Sequence, residues 1–395
     1  MRLPALATSA ALLVALPLLA AAPSSAGESG APSPAPLRTS ANAIPGQYIV
    51  TLERGQDATA FAGRLPGVKP LYQYASVLNG FAARLTPAQV DAVRRTPGVA
   101  AVEEDATVSV APVAPRTKKA DAASWGLDRI DQPYLPLDNR FDAASDGRGV
   151  SVFVLDTGID YDHTEYDGRT YFGYDAIGDG REGADCNGHG THVAGTVGGD
   201  TFGVARSADL VSVRVLNCEG SGSWSGIIAG FDYVGRQADE GVVGVLNASL
   251  GGGRSQAVND AADAVAAKGI LPVIAAGNSS VDACEVSPAS AERVLTVGAT
   301  DHRDLETDFS NFGPCLGIYA PGAQIVSARL GGGSEALNGT SMAAPHVAGV
   351  AALYKQANPS ASAAEVQDWV VGHAVPDVLS VSKGSPNLLL QTSTL

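Results

Sequence analysis

Cysteine and positive charge are scarce in this sequence. It contains four cysteines, and its 26 Lys and Arg residues are outnumbered by 41 Asp and Glu residues, which gives a formal net charge of −15. No two cysteines form a CxxC pair, which argues against a zinc site of the usual kind. The excess of negative charge would repel phosphate, so we expect no nucleic-acid partner. Beyond the N-terminal segment no stretch approaches the roughly 20 apolar residues that span a bilayer, and we expect no membrane association once that segment is removed.

The N-terminus has the features of a secretory signal peptide. Arg2 precedes an apolar, Ala- and Leu-rich run over residues 10–22, and the small-residue segment PSSA follows at residues 23–26. The alternative is a membrane-spanning helix, but the run is short for a bilayer and contains Pro17. We therefore predict a signal peptide over residues 1–26, and a secreted, extracellular and monomeric product.

Composition divides the rest of the chain into two linkers and two domains. Residues 27–43 are rich in Pro, Ser, Ala and Gly, which predicts a disordered linker. Residues 44–110 combine strand patterns with a helix that begins at Thr86 and Pro87, and they predict a small α+β domain. Residues 111–122 are Pro-rich and basic, as expected of an exposed and cleavable connection.

The large domain, residues 123–395, alternates apolar strand patterns with helical ones. Residues 149–156 (GVSVFVLD) predict a buried strand, and residues 341–356 predict a long helix. Apolar β-branched runs separated by helices indicate an α/β fold with a doubly wound, mostly parallel sheet covered by helices on both faces. In such a sheet, reactive groups gather at the carboxyl ends of strands and the amino ends of helices.

Three polar residues lie at such positions, in the chain order Asp, His, Ser. Asp156 ends the first strand of the large domain, His189 lies where a loop meets a helix, and Ser341 begins the long helix. A serine hydroxyl is a weak nucleophile that needs a neighbouring base, and the base needs a carboxylate to orient it. Each residue alone has an ordinary structural explanation, so the inference depends on all three. Ser341 is not in a GxSxG motif, which argues against a lipase or esterase.

The cysteines indicate disulfides rather than metal ligands. An even number in an exported chain favours two bonds among Cys186, Cys218, Cys284 and Cys315. Four cysteines allow three pairings, and the residues alone leave all three open.

The segments around Asp156, His189 and Ser341 resemble known signatures. LDTGID, NGHGTHVAGT and NGTSMAAPHVAG are similar to the three signature blocks of the subtilisin-like serine proteases. ASWGLDRID, DCNGHGTHVAGT, SLGGG, AAGN and GSPNLLL resemble the proteinase K branch, in particular its secreted bacterial, aqualysin-like members. The likeness extends over residues 124–395, and residues 44–110 more loosely resemble the family's inhibitory propeptide. It implies a subtilisin-like fold and a self-processing zymogen of a serine endopeptidase that needs no catalytic cofactor and is inhibited by its own propeptide.

The resemblance also implies a role for each site residue. Asp156 would be the orienting carboxylate, His189 the base, Ser341 the nucleophile, and Asn278 the side-chain donor of the oxyanion hole; the alternative for Asn278 is a turn residue after glycine. The implied substrate-binding residues are Gly220, Ser221 and Gly222 in an edge strand, Ser249, Leu250, Gly251, Gly252, Ala275, Ala276 and Gly277 in the pocket walls, and Trp224 at a remote subsite. No acidic residue occurs in the wall segments, so we expect protein or peptide substrates with apolar or aromatic side chains at this pocket. For Trp224 the alternative is an ordinary core residue.

Two structural features follow from the same resemblance. It implies the disulfides Cys186–Cys218 and Cys284–Cys315. It also implies a structural Ca²⁺ site at Asp128, Asp131, Gln132 and Asp138, which supply hard oxygen ligands on a short loop. The alternative for the loop is a solvated acidic turn.

Two other functions are compatible with the sequence. The large domain could be a catalytically inactive binding module, or the small domain could inhibit other proteases in trans. All four catalytic positions are present, which favours the enzyme, and the position of the small domain directly upstream of a matching protease favours action in cis.

Overall fold

The computed structural model describes residues 33–110, 124–381 and 384–395. The predicted signal peptide (1–26) and processing linker (111–122) lie outside the described residues. The elements of the small domain are β1 (Leu37–Arg38), β2 (Ala43–Leu52), α1 (Ala58–Gly63), β3 (Pro70–Tyr74), β4 (Gly80–Arg84), α2 (Pro87–Arg94) and β5 (Val99–Ser109).

The large domain begins with α3 and ends after β19. Its elements are α3 (Trp125–Ile130), β6 (Ser151–Asp156), β7 (Thr170–Asp175), α4 (His189–Gly198), β8 (Asp209–Arg214), β9 (Ser221–Ser223), α5 (Trp224–Asp239), β10 (Gly244–Ala248), β11 (Gly252–Gly253), α6 (Gln256–Ala267), β12 (Leu271–Ala275), a 3₁₀ turn (Ala283–Glu285), β13 (Val286–Ser287), β14 (Leu295–Thr300), β15 (Ile318–Pro321), β16 (Ile325–Ala328), β17 (Ser334–Leu337), α7 (Thr340–Ala357), α8 (Ala363–Gly372), β18 (Val375–Pro376) and β19 (Leu388–Leu389). In these described ranges no helix is long and apolar enough to cross a membrane.

A nine-stranded sheet forms the centre of the described large domain, in the order β18-β19-β15-β14-β12-β10-β6-β8-β7. Its pairs are parallel except for β18 with β19, which confirms the predicted doubly wound architecture. Alternate residues of β6 point to opposite faces. Val152 and Val154 pack in the core that contains α4 and α7, whereas Phe153 and Leu155 pack in the core that contains α5 and α6. Both faces are therefore covered.

The small domain is a sheet in the order β1-β5-β2-β4-β3 with α1 and α2 packed on it. Helix α2 begins as predicted, with Thr86 as N-cap, Pro87 in the first turn, and a reciprocal capping box with Gln89. The other face of this sheet packs on α5 and α6, where Tyr74 and Ile49 share a core with the helices.

The predicted linker at 27–43 is partly wrong. Leu37 and Arg38 form β1, which pairs in parallel with Val102 and Glu103 of β5. The short strand satisfies backbone groups that β5 would otherwise leave unpaired along its edge. Proline-rich composition is compatible with an extended edge strand as well as with a disordered linker, so composition alone did not distinguish them.

Candidate active site

Asp156 and His189 form a buried hydrogen-bonded pair. Strand β6 ends at Asp156 and helix α4 begins at His189, and the two ends meet at the carboxyl edge of the sheet. His189 Nδ1 lies 2.8 Å from Oδ1 and 3.0 Å from Oδ2 of Asp156. Because Nδ1–H donates to the carboxylate, Nε2 is the ring nitrogen that can accept a proton. Nε2 is buried without a hydrogen-bond partner among the described residues.

Two opposing effects set the proton affinity of His189. Burial lowers the pKa, but the negative charge of Asp156 and the hydrogen bond to it raise the pKa, as does the charge of Asp185. The net result is a pKa above the ordinary value. This carboxylate-supported imidazole has the properties of a general base that is active at neutral and alkaline pH.

Ser341 lies in the first turn of α7. Its hydroxyl donates to the carbonyl of Ser249 at 3.2 Å and makes no hydrogen bond with His189. The hydroxyl of Ser249 donates in return to the carbonyl of Ser341 at 3.0 Å. The structure therefore brings Asp156 and His189 together directly, while Ser341 is held by the neighbouring wall segment.

Asn278 follows β12 and faces the start of α7. Its Oδ1 accepts hydrogen bonds from both the backbone N–H and the hydroxyl of Thr340, each at 2.8 Å. Because Oδ1 is taken by the residue that precedes Ser341, the amide nitrogen is the end that can bind a substrate oxygen. This orientation suits an oxyanion-hole donor better than a simple turn residue.

A cavity of about 280 Å³ lies beside Ser341. Most of the predicted wall residues line it, namely Leu250, Gly251, Gly252, Ala275, Ala276 and Gly277, and so does Asn278. Ser249 is the exception, because it is buried behind the wall, where it bonds to Ser341. No lining residue carries a charge.

Sequence reasoning missed several lining residues, including Val286, Ser287, Ala289 and Asn311. Asn311 has a structural role in the site. Its Nδ2 donates to the carbonyl of Ala276 at 2.7 Å, and its Oδ1 accepts the N–H of Ser279 at 3.1 Å, so it fixes the turn that carries Asn278. An isolated Asn in an NFG segment gave no signal of this role.

The end of the small domain occupies the cleft of the large domain. Strand β5 pairs antiparallel with β9, with Val108 opposite Gly222 and Ser109 opposite Ser221. Beyond β5, the N–H of Val110 donates to the carbonyl of Gly220 at 2.9 Å. Ser109 also forms a bridge with Gly251 in the pocket wall. The two predicted substrate-binding segments thus hold an extended chain between them, as in β-strand addition.

Trp224 is a buried core residue that also borders this chain. It is 2% exposed and packs in the core shared by α5, α6 and Val108 of β5. A β-carbon at Gly252 would lie 2.9 Å from the Trp224 ring and 3.2 Å from Val108, so the three groups are in close contact. The structure agrees with the core interpretation, and the assignment of Trp224 to a remote subsite stays a prediction.

Carboxylates of the small domain bond to the amino ends of two large-domain helices. Glu103 accepts the hydroxyl of Ser255 and the N–H of Ala257 at the start of α6. Asp105 accepts the N–H of Ser225 at the start of α5, at 3.0 Å. The N–H groups and the positive end of the helix dipole at both positions act in favour of negative charge, although burial raises the pKa of Glu103 against the lowering effect of its hydrogen bonds.

A carboxylate of the large domain in turn accepts hydrogen bonds from the small domain. Asp232 on α5 is buried, and its Oδ1 accepts the N–H groups of Ala75, Ser76 and Val77 in the small domain at 3.0, 2.7 and 3.1 Å. The two domains are therefore joined by complementary polar contacts as well as by a shared core.

Both predicted disulfides are present. Cys186 is bonded to Cys218 and Cys284 to Cys315, and no cysteine is free. The first bond joins the loop before His189 to the loop before β9, and so connects the start of α4 to the edge strand.

The predicted calcium loop has carboxylates close together but bonded to backbone. Asp128 accepts the N–H of Asn139 at 2.8 Å, Asp131 accepts the N–H of Asp142 at 2.8 Å, and Gln132 donates to the carbonyl of Pro136 at 2.9 Å. Burial raises the pKa of Asp131, and the charges of Asp128, Asp138 and Asp142 raise it further. In the part of the chain that the structure describes, no three His, Cys, Asp or Glu side chains are arranged to hold a metal ion. The chemistry of the loop fits Ca²⁺, whereas the arrangement of its side chains does not form a ligand shell.

Comparison with known proteins identifies the family. The model of the "Subtilase family" matches residues 147–390, and that of "Peptidase inhibitor I9" matches residues 60–111. The chain belongs to the subtilase family. It is a serine endopeptidase with an I9-type inhibitor domain at its N-terminal side, as the sequence predicts.

Individual relatives agree with this assignment. "Alkaline serine exoprotease A" of Vibrio alginolyticus is 47% identical over 80% of this chain and 59% of its own length, and "Extracellular serine proteinase" of a Thermus species is 42% identical over 89% and 90%. The chain therefore spans less than two thirds of the Vibrio protein. The crystal structure of a cold adapted subtilisin-like serine proteinase is 46% identical, has a TM-score of 0.66, and is matched over 69% of this chain and 99% of that one. The fold is thus subtilisin-like.

Proposed function

We propose that this subtilase is a secreted endopeptidase that hydrolyses peptide bonds through an acyl-enzyme and is made as a self-processing zymogen. The observation that carries the proposal is the extended segment Thr107–Val110, which pairs with β9 and contacts Gly251 beside Ser341. A cleft that already holds a polypeptide as an added strand is suited to bind another in the same way.

The proposed reaction uses the Asp156–His189 pair and Ser341. When the Ser341 hydroxyl turns from the Ser249 carbonyl to His189 Nε2, the imidazole can take its proton as the oxygen attacks the scissile carbonyl. Asp156 stabilises the resulting imidazolium. His189 then passes the proton to the leaving amine, which leaves the acyl group as an ester on the Ser341 oxygen. A water molecule, deprotonated by His189, attacks this ester and releases the acid and the Ser341 hydroxyl.

The oxyanion of each tetrahedral intermediate needs donors next to Ser341. We assign this role to the Asn278 amide and the Ser341 backbone N–H, and the positive end of α7 would add to the effect. The uncharged cavity of about 280 Å³ supports a preference for apolar or aromatic side chains next to the scissile bond.

Self-processing is supported by the direction of the chain in the cleft. The small domain runs from β5 to Val110, whose N–H donates to the carbonyl of Gly220, and Ser109 forms a bridge with Gly251 beside Ser341. We propose that the zymogen cuts itself between residues 110 and 121. The inhibitor domain then remains in the cleft through the contacts of Glu103, Asp105 and Asp232 until it is degraded.

Secretion and a monomeric state are also proposed. Segment 1–26 supports export, and the name of the Thermus relative includes "extracellular". The test of the whole proposal combines two measurements on secreted material. A fluorophosphonate probe should label the wild-type enzyme at Ser341 but not Ser341→Ala, and N-terminal sequencing should find a start within 111–122. A wild-type protein that binds the substrate casein but neither hydrolyses it nor reacts with the probe would instead support an inactive binding module.

A structural Ca²⁺ ion at the 128–138 loop is proposed as part of the mature enzyme. The mutual repulsion of the carboxylates around Asp131 supports it, since a divalent cation would relieve that repulsion. Asp128, Asp131, Gln132 and Asp138 would hold the ion after exchanging backbone hydrogen bonds for cation contacts, and its role would be to stabilise the native state.

A further inference from the structure

Asp185 is a buried carboxylate between the end of β6 and the loop that carries His189. Its Oδ1 accepts hydrogen bonds from the hydroxyl of Thr157 at 2.9 Å and from the N–H groups of Asn187 and Gly188 at 2.8 and 3.0 Å. Its Oδ2 accepts the N–H and the hydroxyl of Thr191 at 3.0 and 2.6 Å. Five donors from both sides of His189 therefore converge on one side chain that is 7% exposed.

Thr157 connects this network to the orienting carboxylate. It follows Asp156 directly, and its hydroxyl accepts the N–H of Gly190 at 2.9 Å while it donates to Asp185. A β-carbon at Gly190 would lie 2.2 Å from the carbonyl oxygen of Gly158, so the start of α4 is in close backbone contact with the segment that follows β6. Asp156 and His189 are thus joined twice, once by their own hydrogen bonds and once through Thr157 and Asp185.

Only an ionised carboxylate can accept this set of donors. A protonated acid or an amide would place a donor of its own against an N–H or O–H group. Within the described ranges Asp185 has no salt-bridge partner, whereas the nearby Asp175 is paired with Arg214 at 3.0 Å. The negative charge of Asp185 is therefore available to act on the imidazole of His189.

We propose that Asp185 is a positioning residue of the catalytic site, which holds the His189 loop in register with Asp156 and favours the imidazolium formed during acyl transfer. The inference rests on the proposed Asp–His–Ser mechanism and adds a second carboxylate to it. Asp185 does not touch the reacting atoms and acts through the loop and through its charge.

Among the residues that the structure describes, few charged or titratable groups lie around His189. They are Asp156 at the end of β6, Asp185 in the loop before α4, and His192 on α4 itself. Farther from the imidazole, Arg214 on β8 donates to the Thr157 carbonyl. Its charge is paired with those of Asp175 and Asp179. Burial lowers the pKa of His192 to about 3, so the His192 imidazole is neutral at neutral pH. Asp156 and Asp185 are the two groups that raise the pKa of His189. Loss of the Asp185 charge should therefore lower it.

The test is the pH profile of Asp185→Asn in the self-processed enzyme, with active sites counted by a fluorophosphonate titrant. We expect kcat per active site to fall about 10- to 100-fold with little change in KM, because the base is displaced. We also expect the acid limb of kcat/KM to move about half a unit to lower pH. Asp301→Asn is the matched control, since Asp301 accepts the N–H groups of Arg303 and Leu305 away from the site. It should change neither quantity.

A second pair of variants separates position from charge and serves if Asp185→Asn does not fold. Thr157→Val removes the bridging hydroxyl but no charge, and should lower kcat without the pH shift, while Thr157→Ser should restore it. Wild-type kcat per active site in Thr157→Val, or an unmoved acid limb and unchanged kcat in Asp185→Asn, would overturn the proposal. If the wild-type enzyme itself fails to react with the titrant at Ser341, the fault lies in the proposed mechanism and not in the role of Asp185.

Discussion

Ser341 and Ser249 hold each other by two reciprocal hydrogen bonds. The Ser341 hydroxyl donates to the Ser249 carbonyl at 3.2 Å, and the Ser249 hydroxyl donates to the Ser341 carbonyl at 3.0 Å. In this arrangement the Ser341 hydroxyl makes no hydrogen bond with His189, while Asp156 and His189 are already joined. In the proposed mechanism the hydroxyl must exchange one acceptor for another before it can attack.

Removal of the Ser341 hydroxyl should abolish catalysis and leave the fold intact. Ser341→Ala deletes one oxygen without opening a cavity, so the melting temperature of the precursor should change little. Because the cut after Val110 would need the same hydroxyl, the variant should accumulate uncut, and His189→Ala should behave alike. Casein hydrolysis and gel analysis of precursor made in a protease-free host provide the measurements. Normal processing of Ser341→Ala there would refute self-cleavage.

The contribution of Asn278 can be separated from its structural bond to Thr340. Asn278→Ala removes both the N–H donor and the acceptor, whereas Asn278→Asp keeps an acceptor for Thr340, removes the donor and adds a negative charge. We expect both variants to lose about 10²–10³ in kcat, a magnitude that comes from subtilisin itself. KM should stay nearly constant in steady-state assays. If Asn278→Asp retains the wild-type kcat, Asn278 is a turn residue and not an oxyanion donor.

Activity should rise with pH as His189 loses its proton. The pKa of His189 is raised in the folded enzyme, so the acid limb of kcat/KM should lie above the ordinary histidine value of about 6.5. The same shift has a stability consequence: protonated His189 stabilises the folded state below the unfolded pKa, and this contribution is lost as pH rises through the folded pKa. A kcat/KM profile across pH 5–9 on a neutral peptide substrate tests the limb, because such a substrate does not titrate there. An acid limb below the ordinary value would contradict the assignment of His189 as the free base.

The strength of the fold prediction differed between the core and the edges. Helix α7 and strand β6 were predicted within two residues at each end, because an uninterrupted apolar run leaves few alternatives for buried elements. Strand β7 was missed. It lies at the edge of the sheet, and Tyr171 and Phe172 are about half exposed, so it carries neither a continuous apolar run nor a clean alternation.

The site shows a similar limit. Asp156, His189 and Asn278 lie in recognisable segments, and so does Asp185, but the contacts of Asp185 and Asn311 exist only in the folded chain. Asn311 is 33 residues from Asn278 in sequence and fixes its turn through Ala276 and Ser279. The rotamer of Ser341 depends in the same way on the Ser249 carbonyl across the cleft.

The inhibitor domain should leave the cleft faster when its helix-capping carboxylates are neutralised. Glu103→Gln with Asp105→Asn weakens hydrogen bonds to α5 and α6, each of which is worth about 1.5–3 kcal/mol when the acceptor is charged. After self-cleavage, activity should therefore emerge sooner than in the wild type. The finished enzyme should keep its kcat and KM, since both residues are removed with the propeptide.

The control for this experiment is Asp91→Asn, which changes an exposed carboxylate of α2 paired with Arg95 and distant from the interface. The time course of peptidase activity per active site gives the readout. Equal lag times in the double variant and in Asp91→Asn would show that the two carboxylates do not hold the domain.

Calcium should stabilise the mature enzyme through the 128–138 loop. Binding to the native state alone adds about 2.7 kcal/mol at a hundredfold excess over Kd, which for a domain of this size corresponds to a melting shift of several degrees. Excess EDTA should therefore lower the melting temperature and speed autolysis. The effect should weaken at acid pH, because protons compete with Ca²⁺ for the carboxylates of the loop. Asp131→Asn should reduce the calcium response. Asp263→Asn, which alters another partly buried carboxylate that accepts the backbone N–H of Arg293 at 2.7 Å, should leave the response unchanged. If chelation alters neither the melting curve nor the autolysis rate of the wild type, the loop is a solvated acidic turn.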